Sequence, residues 1–140
     1  MDAAFEIVAP AIRRVAQSEG VKLIEFHRDD PVWRLNFARE PAGEAAVDVA
    51  WQEDRPDTFL VSATWWVDDY DSAMRRLHRE EVGEFTRERQ LSDLESTLVE
   101  AMRRVDSWTE ADLDQQSGPY PDWQRYSTRE EFYRTRLPRR

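Results

Sequence analysis

Thr58–Val67 reads TFLVSATWWV, ten residues crowded with β-branched and aromatic side chains. That composition suits a pleated, half-buried surface. A period of two puts Phe59, Val61, Ala63 and Trp65 on one face, and Leu60, Ser62, Thr64 and Trp66 on the other. Three comparable runs precede it. Val21–Arg28 leads through Asp29, Asp30 and Pro31, a turn signature, into Val32–Ala38, where Trp33, Leu35 and Phe37 alternate with Arg34 and Asn36. Arg39–Glu44 contains Pro41 and Gly43 and makes the next turn, after which Ala45, Val47, Val49 and Trp51 alternate with Asp48. The polar stretch Gln52–Asp57 then returns the chain to the opening run. Connections this short join antiparallel neighbours, so the four runs predict a four-stranded antiparallel meander.

Helical patterns flank the meander. Phe5, Val8, Ile12 and Val15 repeat at helical spacing up to Gly20, which predicts a helix over 4–19, kinked or starting late at Pro10. Beyond the meander, Asp69 or Asp71 is placed to cap a helix carrying Met74, Leu77 and Val82 and ending near Gly83. Ser92 with Glu95 forms a capping-box pattern before the clearest helical stripe, Leu91, Leu94, Leu98, Ala101, Met102 and Val105. Gly118, Pro119 and Pro121 signal a loop, and Thr128 with Glu131 caps a short helix bearing Phe132. The expected fold is α+β: an N-terminal helix, a four-stranded antiparallel meander, then two or three helices packed on the sheet. Residues 1–117 are expected to form a single domain, and 118–140 a C-terminal loop, short helix and basic tail. Helix-first sheets of this kind also occur in cystatin-like folds and bacterial secretion chaperones, a likeness of architecture that many functions share.

Composition narrows the chemistry. One domain is expected from 140 residues, of which 40% are hydrophobic and 11% aromatic. The absence of cysteine excludes disulfides, thiolate metal sites and cysteine nucleophiles. The four glycines are scattered at 20, 43, 83 and 118, so no phosphate-cradling loop is present, and no G-x-S-x-G elbow surrounds a serine. His27 beside Asp29 and Asp30 offers a proton-transfer pair, but at a strand end it reads as a surface residue. His78 and Glu81 share a helical face on the same reading, without the second histidine that a carboxylate-bridged metal site requires. Asp69, Asp71 and Glu80 fit places one, three and twelve of a calcium loop, yet Met74 stands where its sharp turn requires glycine. No catalytic residue, metal ligand or cofactor is therefore expected.

Charge is distributed unevenly. The chain has 20 basic and 29 acidic residues, a net −9, and every basic residue except Lys22 is arginine. That bias predicts a GC-rich bacterial source. Residues 40–71 carry nine acids against Arg55, a net −8, whereas 123–140 carries six arginines against Glu130 and Glu131, a net +4. The first twenty residues lack the basic start and apolar run of a secretory leader, and no apolar stretch is long enough for a bilayer, so a cytoplasmic location is expected.

Acids flanking outward-facing aromatics suit a basic protein surface. The chain is thus expected to be a non-enzymatic interaction module of a bacterial cytosol, of the immunity-protein or secretion-chaperone type. Its basic protein partner, a toxin or secreted protein, is expected to meet Glu53, Asp54, Asp57, Trp66, Asp68, Asp69, Tyr70 and Asp71. An alternative is a small-molecule binder or small enzyme with an apolar pocket among Trp33, Trp51 and Trp65. Arginines with Trp123, Tyr126 and Tyr133 in the tail are the pattern of a single-strand nucleic-acid binder, but a net −9 opposes it. Neither nucleic acid nor membrane is an expected partner. A tail docked between protomers is a route to a homodimer.

Overall fold

Val8, Ala9, Ile12, Val15 and Ala16 make one buried stripe along the first helix, α1 (Asp2–Glu19). The structure, a computed structural model, describes residues 2–26, 32–39, 42–52, 55–86, 91–113, 116–119, 128 and 130–131. Pro10 lies on the exposed side of α1, and the helix runs through it rather than starting there. Gly20, at φ 66°, closes the helix: its own N–H donates to the Gln17 carbonyl and the Val21 N–H to that of Ala16. This pair of bonds is a Schellman motif, which satisfies carbonyls left over at the helix end.

The strands β1 (Lys22–Phe26), β2 (Val32–Ala38), β3 (Glu44–Gln52) and β4 (Arg55–Asp69) follow as the alternation requires. Trp33 lies opposite Val49, and Val49 opposite Val61, so the apolar positions of successive strands line up on one face. The helix α2 (Leu91–Ser107) lays Leu94, Leu98, Ala101, Met102 and Val105 onto that face beside α1. Helices cover this side of the sheet. Ser92 falls inside α2, and Glu95 pairs with Arg14 of α1 at 2.8 Å.

The expected four-stranded meander is corrected to a six-stranded antiparallel sheet whose strands lie in chain order. The stretch capped by Asp69 or Asp71 and ending near Gly83, expected as a helix, belongs instead to a turn and the strand β5 (Met74–Thr86). It pairs with β4 from Thr58↔Thr86 to Asp69↔Met74. The reason lies in the turn. Asp69 Oδ1 accepts the Asp71 N–H at 3.0 Å, the Ala73 N–H donates to the Tyr70 carbonyl, and Ala73 adopts φ 55°. A short acidic side chain accepting a backbone N–H two residues ahead begins a turn as readily as it caps a helix. Beyond the turn, β4 is a strand of 15 residues whose backbone groups need partners on both sides, and β5 supplies them. That demand overrides the helical propensity of the arginines and glutamates in β5.

A four-residue helix, α3 (Glu110–Leu113), then precedes the strand β6 (Gln116–Pro119). Asp112 accepts from the Thr109 N–H at 2.7 Å while the Asp112 N–H donates to the Thr109 carbonyl, which fixes the start of α3. Gly118 and Pro119, expected in a loop, are part of β6 and pair with Arg75 and Met74 at the sheet edge. Pro tolerates such a place because an edge leaves one side of the strand unpaired. Thr128 Oγ1 accepts the Glu131 N–H at 3.0 Å, the expected cap, while Phe132 lies outside the described residues. No helix among the described residues is long and apolar enough to cross a membrane.

Candidate functional site

The consecutive residues Trp65 and Trp66 of β4 point to opposite sides of the sheet. Trp65 faces the helices and is 2% exposed. Its Nε1 donates to the Ala42 carbonyl at 3.0 Å, and the Arg39 guanidinium lies 4.5 Å above its ring. Arg39 also donates to the carbonyls of Val105 and Asp106 in the last turn of α2 and of Trp108 just past its end, the shortest bond being 2.7 Å to Trp108. A cation at a helix C-terminus satisfies carbonyls that have no intrahelical donor. Gly43 makes this junction possible. A Cβ there would lie 2.4 Å from the Trp66 carbonyl oxygen, and φ is 93°.

Trp66 faces away from the helices, between Glu44 of β3 and Leu77 of β5. The Arg75 guanidinium lies 5.3 Å from its ring centre. Its Nε1–H is buried and meets no hydrogen-bond acceptor among the described residues. Asp68 and Arg75 are directly opposite in the register and form a two-pronged ion pair of 2.6 and 2.9 Å. The Asp68 side chain is only 3% exposed. Arg75 and Leu77, with Ser117, Gly118 and Pro119 of β6, line an open groove of about 220 Å³.

Other ionic contacts stitch the same face. Arg34 donates to both oxygens of Asp48 at 2.8 and 3.1 Å, and stands 5.7 Å from the ring of the exposed Phe26. The hydrogen bond to Asp48 raises the Arg34 pKa above its ordinary value, against burial, which lowers it. Arg79 donates to Ser62 Oγ at 3.3 Å. The acids of residues 40–71 are thus not one continuous belt. Asp48 and Asp68 are each bound to an arginine on the neighbouring strand, and the exposed acids at this end are Asp69 and Asp71 in the turn.

Of the expected binding residues, the structure brings Trp66, Asp68, Asp69, Tyr70 and Asp71 to one end of β4. Tyr70 is half-buried there. Asp57 belongs to the other end of the same strand, about 36 Å from Asp68 at the usual rise per residue. Glu53 and Asp54 lie outside the described residues, as does His27. His78 is on β5 rather than a helix, so the helical pairing with Glu81 does not form. Its ring meets the edge of Trp108 at 4.5 Å, with Nε2 3.4 Å from Glu80. Asp69 and Asp71 are turn residues and Glu80 is well along β5, which separates the calcium-like triplet. No group of three or more His, Asp or Glu among the described residues is arranged to hold a metal ion. The tryptophans of the alternative pocket are occupied otherwise: Trp33 is fully buried with its ring 6.2 Å from that of Phe59, Trp65 is in the core, and Trp51 packs against it.

Arg75 was missed because its role depends on a hairpin that reads as a helix. Once the turn is known, Asp68 and Arg75 fall opposite each other by counting alone. Comparisons with family models, curated proteins and solved structures return no match. Residue chemistry and placement therefore carry the functional reading.

Proposed function

We propose that this chain is a non-enzymatic protein-interaction module that binds a basic protein partner, in the manner of an immunity protein or a secretion chaperone in a bacterial cytosol. One observation carries this reading. Trp66 is turned away from the helices with an unspent N–H, beside a turn that exposes Asp69 and Asp71. An aromatic side chain supplies buried contact, and a rim of exposed acids speeds encounter with a cationic surface. The ion pairs at Asp48 and Asp68 belong to the scaffold in this scheme and hold the surface in shape.

Affinity capture from the native cell, with the unaltered chain and with Asp69→Asn/Asp71→Asn side by side, tests the proposal. Asparagine keeps the oxygen that accepts the Asp71 N–H, so the turn survives the loss of charge. A basic protein retained by the unaltered chain at low salt, weakened at high salt and lost from the double variant supports the reading. Equal capture by both chains, or recovery of no protein at either salt, overturns it.

A further inference from the structure

The groove between β5 and β6 exists because one side chain is missing. Gly118 is opposite Arg75 in the register, and opposite residues of an antiparallel pair share a face. A Cβ at Gly118 would meet nothing within 4 Å. Arg75 and Leu77 form one wall of the groove, and Ser117, Gly118 and Pro119 the other, around about 220 Å³. A cavity of about 150 Å³ holds a benzene molecule. The groove therefore has room for one side-chain ring.

Its walls indicate what fits. Arg75 is braced before anything binds, with Nε and Nη2 given to Asp68 and the guanidinium over the Trp66 ring. Arg75 lines the groove and Trp66 does not, so the opening faces a planar cation backed by an aromatic ring. Leu77 and Pro119 add apolar surface. A carboxylate suits this site poorly, because Asp68 already neutralises Arg75 and the next turn holds Asp69 and Asp71. A lysine or arginine side chain meets the like charge of Arg75. An aliphatic one covers Leu77 and Pro119 but gains nothing from the guanidinium. An aromatic ring does both, since its negative face complements a cation and its body covers apolar walls.

We propose that this groove receives an aromatic side chain of the protein partner, stacked on Arg75 so that the guanidinium lies between the incoming ring and Trp66. The proposal rests on the basic-partner reading above and adds the partner's anchor: one ring set among basic residues that meet Asp69 and Asp71. Because Asp68 and Trp66 already fix Arg75, little side-chain freedom is lost when the ring arrives.

Three labelled peptides test it on the full chain, each with the same Arg-Gly flanks and a central phenylalanine, cyclohexylalanine or alanine. Cyclohexylalanine has the size of phenylalanine and is no less apolar, but lacks the π face. The expected result, read by fluorescence anisotropy, is binding of the phenylalanine peptide about two- to fivefold tighter than the cyclohexylalanine one. The amide NMR signals of Arg75 and Gly118 should shift on its addition. Gly118→Val fills the groove without a clash and should lower phenylalanine binding to the level of alanine. Gly118→Ala takes less of the space, should give a smaller loss, and serves where valine disturbs β6. Cyclohexylalanine binding as tightly as phenylalanine overturns the proposal. Shifts confined to another part of the chain, binding indifferent to both Gly118 variants, or no binding by any peptide overturns it as well. The two ideas fail separately. Partner capture that needs Asp69 and Asp71 but is unchanged by Gly118→Val leaves the basic-partner reading standing and removes the ring from the groove.

Discussion

Trp65 and Trp66 share a backbone and almost nothing else. Trp65 is enclosed by its own chain, with its N–H given to Ala42 and its ring under Arg39. Trp66 has a ring contact with Arg75 and a buried N–H that meets no acceptor among the described residues. The first arrangement is complete, and the second leaves a polar group whose burial costs about 1–3 kcal/mol when unpaired. The contrast teaches where this fold spends its side chains. The lesson belongs to these two neighbours: Trp65 spends its N–H on Ala42, and Trp66 keeps its own without an acceptor among the described residues.

The comparison breaks most visibly under truncation. Trp65→Ala should cost about 3–5 kcal/mol in urea unfolding, as a large side chain lost from a packed core. Trp66→Ala should cost clearly less. Equal losses would show that the two faces are packed alike. Next in size, Gly43→Ala should cost more than about 2 kcal/mol by thermal unfolding, because a positive φ and a Cβ at 2.4 Å from the Trp66 carbonyl act together. A substitution felt less than this would mean that the turn between β2 and β3 can shift without disturbing either tryptophan.

Asp68→Asn leaves the Arg75 guanidinium without its counter-charge on the helix-free face. A loss of about 1–3 kcal/mol is expected, below the figure for a fully buried pair because Arg75 keeps 30% of its side chain exposed. An unchanged denaturation midpoint would show that the pair contributes nothing to the scaffold. The finest probe is the exchange of each tryptophan for phenylalanine. Trp65→Phe forfeits the bond to Ala42, whereas Trp66→Phe removes an N–H that has no acceptor among the described residues. Trp65→Phe should be the more destabilising by about 1 kcal/mol. The reverse order would mean that Trp66 Nε1 has found an acceptor.

Much of the first half of the fold is legible in the sequence because one period governs it. Trp33, Leu35 and Phe37, then Val47 and Val49, then Phe59 to Trp65 recur every second residue and end on the core face. The same period sends Trp66 outward, so the central residue of the candidate site is readable too. β5 is not, since its charged residues carry no alternating apolar signal and its only cue, the Asp69–Asp71 turn, also describes a helix cap. β6 is harder still. Gln-Ser-Gly-Pro has no strand propensity of its own, and these residues become a strand only because β5 presents an edge. Without β5, the acids of residues 40–71 look like one surface. With it, Asp68 is paired.

The order of the strands has a kinetic consequence. Each of β1 to β5 pairs with its neighbour in sequence, so those ladders close through short loops and form early. β6 is different: about thirty residues, including α2 and α3, separate it from β5, and it returns only four residues of pairing for that closure. It is therefore the last strand to join and the first to fray, with local opening far cheaper than global unfolding. Each such opening uncovers the Met74–Leu77 side of β5 while the rest of the sheet stays folded.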